Sequence, residues 1–117
     1  MTHRVLIALG SNFQQAAHLH WAEQRLSLYL TDLQLSRTLW TADIKGCGLM
    51  YMNQLVMGST TLSADELEQE LKVSEIATGR TRQQVTIDLD LMLYDDERFH
   101  LRDWPRPYIQ QLIDDVL

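Results

Sequence analysis

Apolar and polar residues along this chain follow two different periods, and the switches between them mark its elements. Residues 3–9, HRVLIAL, are apolar at successive positions, as in a central strand covered on both faces. Gly10 and Ser11 interrupt the run, and Asn12 with Gln15 makes a capping-box pattern opening a helix over residues 13–30. Ala16, Leu19, Ala22, Leu26 and Tyr29 supply its buried stripe at three- and four-residue steps. Leu33, Leu35, Arg37, Leu39 and Thr41 alternate with polar residues and predict a second strand. Residues 42–50, with two glycines, predict a loop, and Tyr51 to Ser59 a third strand.

The next helix is signalled most clearly. Ser63 and Glu66 form a capping box, Leu62 and Leu67 occupy the positions of a hydrophobic staple, and Leu71 and Ser74 continue the inward face. Gly79 is a natural C-terminal stop. A polar segment then leads to TIDLDLMLYDD, residues 86–96, where Ile87, Leu89, Leu91 and Leu93 alternate as in a half-buried strand. A charged turn, a loop with Trp104, Pro105 and Pro107, and a short helix near residues 108–116 follow. The order β-α-β-β-α-β predicts an α+β fold of the ferredoxin-like, split β-α-β kind. It would place two helices on one face of a four-stranded antiparallel sheet and leave the other face partly open. The leucines of residues 87–93 would then face the helices, with Asp88 and Asp90 on the open side.

The 117 residues predict a single domain over 1–117, and 45% apolar with 22% charged residues is an ordinary soluble composition. A net charge of −6 argues against nucleic-acid binding through phosphates. It leaves room for a small anionic ligand, because eight of the ten cationic residues are arginines, suited to two-pronged phosphate contacts. The lone Cys47 has no disulfide partner, and no apolar run is long enough to span a membrane. The expectation is a cytoplasmic protein.

Aspartate is a poor strand former, so the pair in one strand needs a reason. Same-face positions on a strand lie about 6.6 Å apart, a spacing at which Asp88 and Asp90 can converge on Mg²⁺ while leaving room for phosphate oxygens. The alternative is that the charges protect an edge strand from sheet-to-sheet association. Arg80 and Arg82 lie just upstream, placed either to clamp phosphate beside a metal or to decorate a solvated helix end. Asn53, with Tyr51 on the same face of its strand, is either a satisfied core amide or a reader of a planar heterocycle on which Tyr51 stacks. The four histidines have no partners at metal-ligand spacing.

Taken together, Ala8-Leu9-Gly10-Ser11-Asn12, Tyr51-Met52-Asn53, Glu75 with Gly79-Arg80-Thr81-Arg82, and Ile87-Asp88-Leu89-Asp90-Leu91-Met92-Leu93-Tyr94 resemble the 6-hydroxymethyl-7,8-dihydropterin pyrophosphokinase family. The resemblance implies a ferredoxin-like monomer that moves pyrophosphate from ATP to the pterin hydroxymethyl group, releasing AMP, in folate biosynthesis. It implies two Mg²⁺ ions on Asp88 and Asp90, and phosphate contacts from Arg80 and Arg82, with Glu75 near the nucleotide. It places the pterin against Tyr51, Asn53, Gly10 and Ser11, with the loop at 42–50 closing over it. The chain departs from the family pattern between Arg80 and Ile87, where the intervening loop is short. It departs again after the last strand, where Arg106 stands either as a phosphate contact or as a partner of Asp103. Two other readings stay open: a pterin- or nucleotide-binding homologue without turnover, and a ferredoxin-like interaction domain.

Overall fold

The computed structural model describes residues 1–42 and 49–117, so most of the loop expected at 42–50 lies outside the described residues. One antiparallel sheet organises the chain. Its elements are β1 (His3–Ser11), α1 (Gln15–Leu26), β2 (Thr31–Leu35), β3 (Leu39–Ala42), β4 (Met50–Thr60), α2 (Ala64–Ala77), β5 (Asp88–Tyr94), β6 (Glu97–Arg98) and α3 (Pro107–Leu112), followed by a 3₁₀ turn at Ile113–Asp115. The sheet has six strands in the order β2-β4-β1-β5-β6, with β3 also paired to β4.

The expected four strands become six for two local reasons. The strand expected over residues 33–41 breaks at Ser36, which pins itself to β4 by means other than a regular ladder. Its N–H donates to the Leu55 carbonyl (2.9 Å) and its hydroxyl accepts from the Leu55 N–H (2.8 Å). A side chain thus replaces a main-chain acceptor, and β2 and β3 lie in succession along the same edge of β4. The second addition is β6, joined to β5 through Asp95 and Asp96, with Asp95 at a φ of 53°.

Two cores sandwich the sheet. Val5, Ile7 and Leu9 of β1 meet Leu19, Ala22 and Leu26 of α1 and Leu67 and Leu71 of α2 on one face. Leu6, Ala8, Leu55 and Met57 meet Trp104, Ile109, Leu112 and Val116 on the other. The face expected to be partly open is therefore covered along much of its length by the chain after β6. Ile87, Leu89 and Leu91 face α1 and α2 as expected, but Leu93 packs in the second core. The cause is a bulge: Leu6 pairs with Leu93 while Ile7 pairs with Leu91, so Met92 is the extra residue and the alternation inverts there.

The Ser63–Glu66 capping box forms, with Glu66 N–H to Ser63 Oγ at 3.2 Å and Ser63 N–H to Glu66 Oε1 at 2.9 Å. Leu62 and Leu67 join the same core, and Gly79 takes a φ of 78° just past α2. The cap expected at Asn12 does not form. α1 starts later, behind a left-handed Gln14 with no side-chain cap. Asn12 is instead buried, accepting from the Val85 N–H (2.8 Å) and donating to the Gln83 carbonyl (3.2 Å), while its own N–H reaches the Val85 carbonyl (2.9 Å). A tertiary partner competes successfully for the side chain. Nor do Gly10 and Ser11 end β1, because neighbours on both sides keep them in the sheet: Gly10 pairs with Asn53 and with Asp88. Among the described residues no helix is long and apolar enough to cross a membrane.

Candidate active site

Register across the centre of the sheet creates the site. Asn53 of β4, Gly10 of β1 and Asp88 of β5 are directly opposed, and the next row on the same face is Leu55, Ala8 and Asp90. An amide and two carboxylates therefore share one face, with the bare backbone of Gly10 between them. Neighbouring strands are about 4.8 Å apart, so the amide and Asp88 are separated by roughly 10 Å, the width of a flat bicyclic ring or a phosphate chain. A Cβ built on Gly10 would lie 3.4 Å from Asn53 Oδ1 and 3.7 Å from Tyr51 Cδ2, which places both side chains beside that gap. Glycine inside a strand often marks a bulge, a tight bend or a close approach by a ligand or another backbone.

On the β4 side the amide is held firmly. Asn53 is buried, and its Nδ2 donates to Thr41 Oγ1 (2.7 Å) and to the Leu39 carbonyl (3.3 Å). Two acceptors on β3 thus orient the carboxamide, with Oδ1 toward Gly10. The Tyr51 hydroxyl accepts from Asn12 Nδ2 at 3.4 Å.

On the β5 side the edge of the sheet is capped by charged groups from the end of α2. Glu75 Oε2 accepts the Leu89 N–H (2.8 Å), and Arg80 Nη1 reaches the Ile87 carbonyl (3.4 Å). The same Arg80 nitrogen lies 3.1 Å from Glu75 Oε2 and 3.2 Å from Asp88 Oδ1. These contacts satisfy main-chain groups that an edge strand leaves unpaired. Negative charge is nevertheless in excess. Burial, reinforced by the charge of Asp88, pushes the Asp90 carboxyl up to about 6, against the influence of His100, whose Nε2 is 3.9 Å away. Burial likewise pushes Glu75 up to about 7, with Asp88 adding to the rise and the Leu89 N–H and Arg80 opposing it.

Among the described residues no three His, Cys, Asp or Glu side chains form a metal cluster. A cation here would rest on the two carboxylates, with ligand oxygens and water completing its shell, which is how Mg²⁺ is commonly held. Asp90 also lines a cavity of about 170 Å³ with Glu75, Lys72 and His100. A larger one, about 220 Å³, lies at the far end of the sheet against Ser27, Thr31 and Thr60, away from these groups.

Residues 6–113 match the family model for 7,8-dihydro-6-hydroxymethylpterin-pyrophosphokinase. The chain belongs to this family. Among curated proteins none matches it.

For a member of the pyrophosphokinase family, the structure assembles Gly10, Tyr51, Asn53, Asp88 and Asp90 on one face of the sheet, with Glu75 and Arg80 at its β5 edge. It does not bring the other expected residues to that strip in the same way. The Ser11 hydroxyl is buried and closes a turn with Phe13, donating to its carbonyl at 3.1 Å. Arg82 stands exposed in the segment before Val85. Arg106 is paired with Asp103, Nε to Oδ1 at 2.8 Å, which is one of the two roles open to it in the sequence. His100, Asp103 and Tyr108 are neighbours of the carboxylates that the sequence did not place beside them. Burial, then the charges of Asp103, Asp90 and Asp88, raise the Tyr108 hydroxyl to about 12. None of the three carries a local signal, since the fold of the chain after β5 brings them there.

Proposed function

We propose that this chain transfers pyrophosphate from ATP to 6-hydroxymethyl-7,8-dihydropterin. The observation that carries the reading is the row Asn53–Gly10–Asp88 with Asp90 beside it, in a chain of this family. Asn53 and Tyr51 receive the flat pterin across the glycine strip. Asp88 and Asp90 fit Mg²⁺, two ions in this reading, because both offer hard carboxylate oxygens and their mutual repulsion is relieved by a cation. Bound there, Mg²⁺ supplies charge neutralisation and polarisation of the β-phosphoryl group. Arg80, held between Glu75 and Asp88, and the exposed Arg82 face the phosphates, with Glu75 near the nucleotide.

The pterin hydroxymethyl oxygen bonds to the β-phosphorus while the bond from that phosphorus to the α,β-bridging oxygen breaks. AMP leaves with the bridging oxygen, and the hydroxyl proton is released. Positioning and electrostatics carry such a reaction, so no side-chain nucleophile is needed. Residues 1–117 act as one domain, a cytoplasmic monomer in this reading, and the sheet order with α1 and α2 on one face supports a ferredoxin-like arrangement.

A second reading, a pterin- and nucleotide-binding homologue without turnover, is favoured by the Arg106–Asp103 pair, which engages a candidate phosphate ligand internally. Incubation with Mg-ATP and the pterin, following AMP, separates them. Pterin-dependent AMP supports the enzyme, and binding of both ligands without AMP supports the homologue. Binding of neither ligand overturns both.

A further inference from the structure

The end of the described chain reaches back to the break between β2 and β3. Asp115 accepts three hydrogen bonds from Arg37: the main-chain N–H to Oδ2 (2.9 Å), Nε to Oδ2 (2.9 Å) and Nη2 to Oδ1 (3.2 Å). The Arg37 side-chain bonds hold the Asp115 carboxyl below the usual carboxylate range. Arg37 sits in the connector that Ser36 pins to β4, and β3 begins two residues later. Leu39, the first residue of β3, packs against the second core, which contains Leu112 and Val116 from the same terminal segment. Leu39 and Thr41 in turn supply both acceptors that orient the Asn53 carboxamide. A continuous line of contacts therefore runs from Asp115 through Arg37 and β3 to the amide.

We infer that Asp115 and Arg37 are positioning residues: their clamp sets β3, and through the Leu39 carbonyl and Thr41 Oγ1 it fixes which end of the Asn53 carboxamide meets the pterin. The pterin half of this statement rests on the function proposed above, whereas the effect on Asn53 does not. Freed from the clamp, β3 keeps its ladder to β4 but loses the restraint on its leading end, and the amide loses a fixed pair of acceptors. Asp115→Ala removes all three bonds, while Arg37→Ala retains the main-chain one, so the two variants differ in degree.

The chain contains two asparagines, Asn12 and Asn53, and Asn12 is held by Val85 and Gln83 rather than by β3. In ¹⁵N-labelled full-length protein without ligand, Asp115→Ala should speed exchange of the Asn53 carboxamide protons about tenfold and leave Asn12 within about twofold. Arg37→Ala should produce a smaller change in the same direction. In the same variants, 6-hydroxymethylpterin should bind about fivefold more weakly, and a non-hydrolysable Mg-ATP analogue should bind within about twofold of the unaltered chain. Asp115→Asn, which conserves shape, provides the milder variant if alanine unfolds the protein. Unchanged Asn53 exchange, or equal acceleration of both asparagines, overturns the inference. Equal weakening of pterin and nucleotide does the same. If the unaltered chain binds no pterin, the function proposed above falls, and the exchange of Asn53 still decides the role of the clamp.

Discussion

The two ends of the Asn53–Gly10–Asp88 row are built on opposite electrostatic terms. At the β4 end a neutral amide is buried with both donors matched to acceptors on β3. At the β5 end two carboxylates share a face, and Asp90 is raised toward neutrality by burial and by its neighbour. The first arrangement is complete without a ligand, because a neutral group costs little to bury once it is hydrogen-bonded. In the second, Arg80 lies 3.2 Å from Asp88 and His100 3.9 Å from Asp90, and burial still raises the Asp90 carboxyl. The amide end is held in one orientation by β3, whereas like charges crowd the carboxylate end, where the proposed Mg²⁺ would offset them.

The largest loss of activity is expected at the carboxylates. Asp88→Ala or Asp90→Ala should lower pterin-dependent AMP release by about 10²- to 10³-fold, measured under saturating Mg-ATP. Retention of full rate in both variants would return the pair to an edge-protection role. At the amide, Asn53→Ala should raise the pterin KM about tenfold, by removing a buried hydrogen-bonding group, while the KM for Mg-ATP stays within about twofold. A parallel rise in both would show that the two ends are not separate.

A thermal scan without metal sharpens the electrostatic half. A carboxyl raised in the folded state adds stability that is fully present below its unfolded pKa, near 4, and is lost as pH climbs through the folded value of about 6. Asp90→Asn should therefore raise Tm by about 3 °C near pH 8, with the gain vanishing near pH 4. A gain independent of pH would mean that the residue is not under electrostatic strain. The smallest effect is expected between the ends. Gly10→Ala makes only ordinary contacts, so stability should stay within about 0.5 kcal/mol, yet the added methyl narrows the strip and should raise the pterin KM roughly threefold.

Much of the candidate site was legible in the sequence because its parts are locally unusual. Two aspartates among alternating leucines, a glycine ending an apolar run and an asparagine in a strand each conflict with the element around them. Such conflicts are expected at functional positions. Their assembly was not legible. That Asn53 and Asp88 both face Gly10 depends on strand register, and register is a property of pairs of strands. Asn12 carried the local signature of a helix cap, but its amide found Val85 and Gln83, seventy or so positions away, where burial makes those bonds worth more than a solvent-exposed cap.

Sequence by itself determined what short-range physics controls: the apolar periods of β1, α2 and β5, the capping box at Ser63, the left-handed stop at Gly79, and the placement of the aspartates opposite the helix-facing leucines. Tertiary structure decided where a local pattern had competing partners. The Ser36 hydroxyl displaced a ladder bond and split one strand into two, the Met92 bulge turned Leu93 to the second core, and Glu75 with Arg80 closed the edge of β5. Only the assembled sheet could decide these, because each depends on a partner whose distance is set by the whole fold.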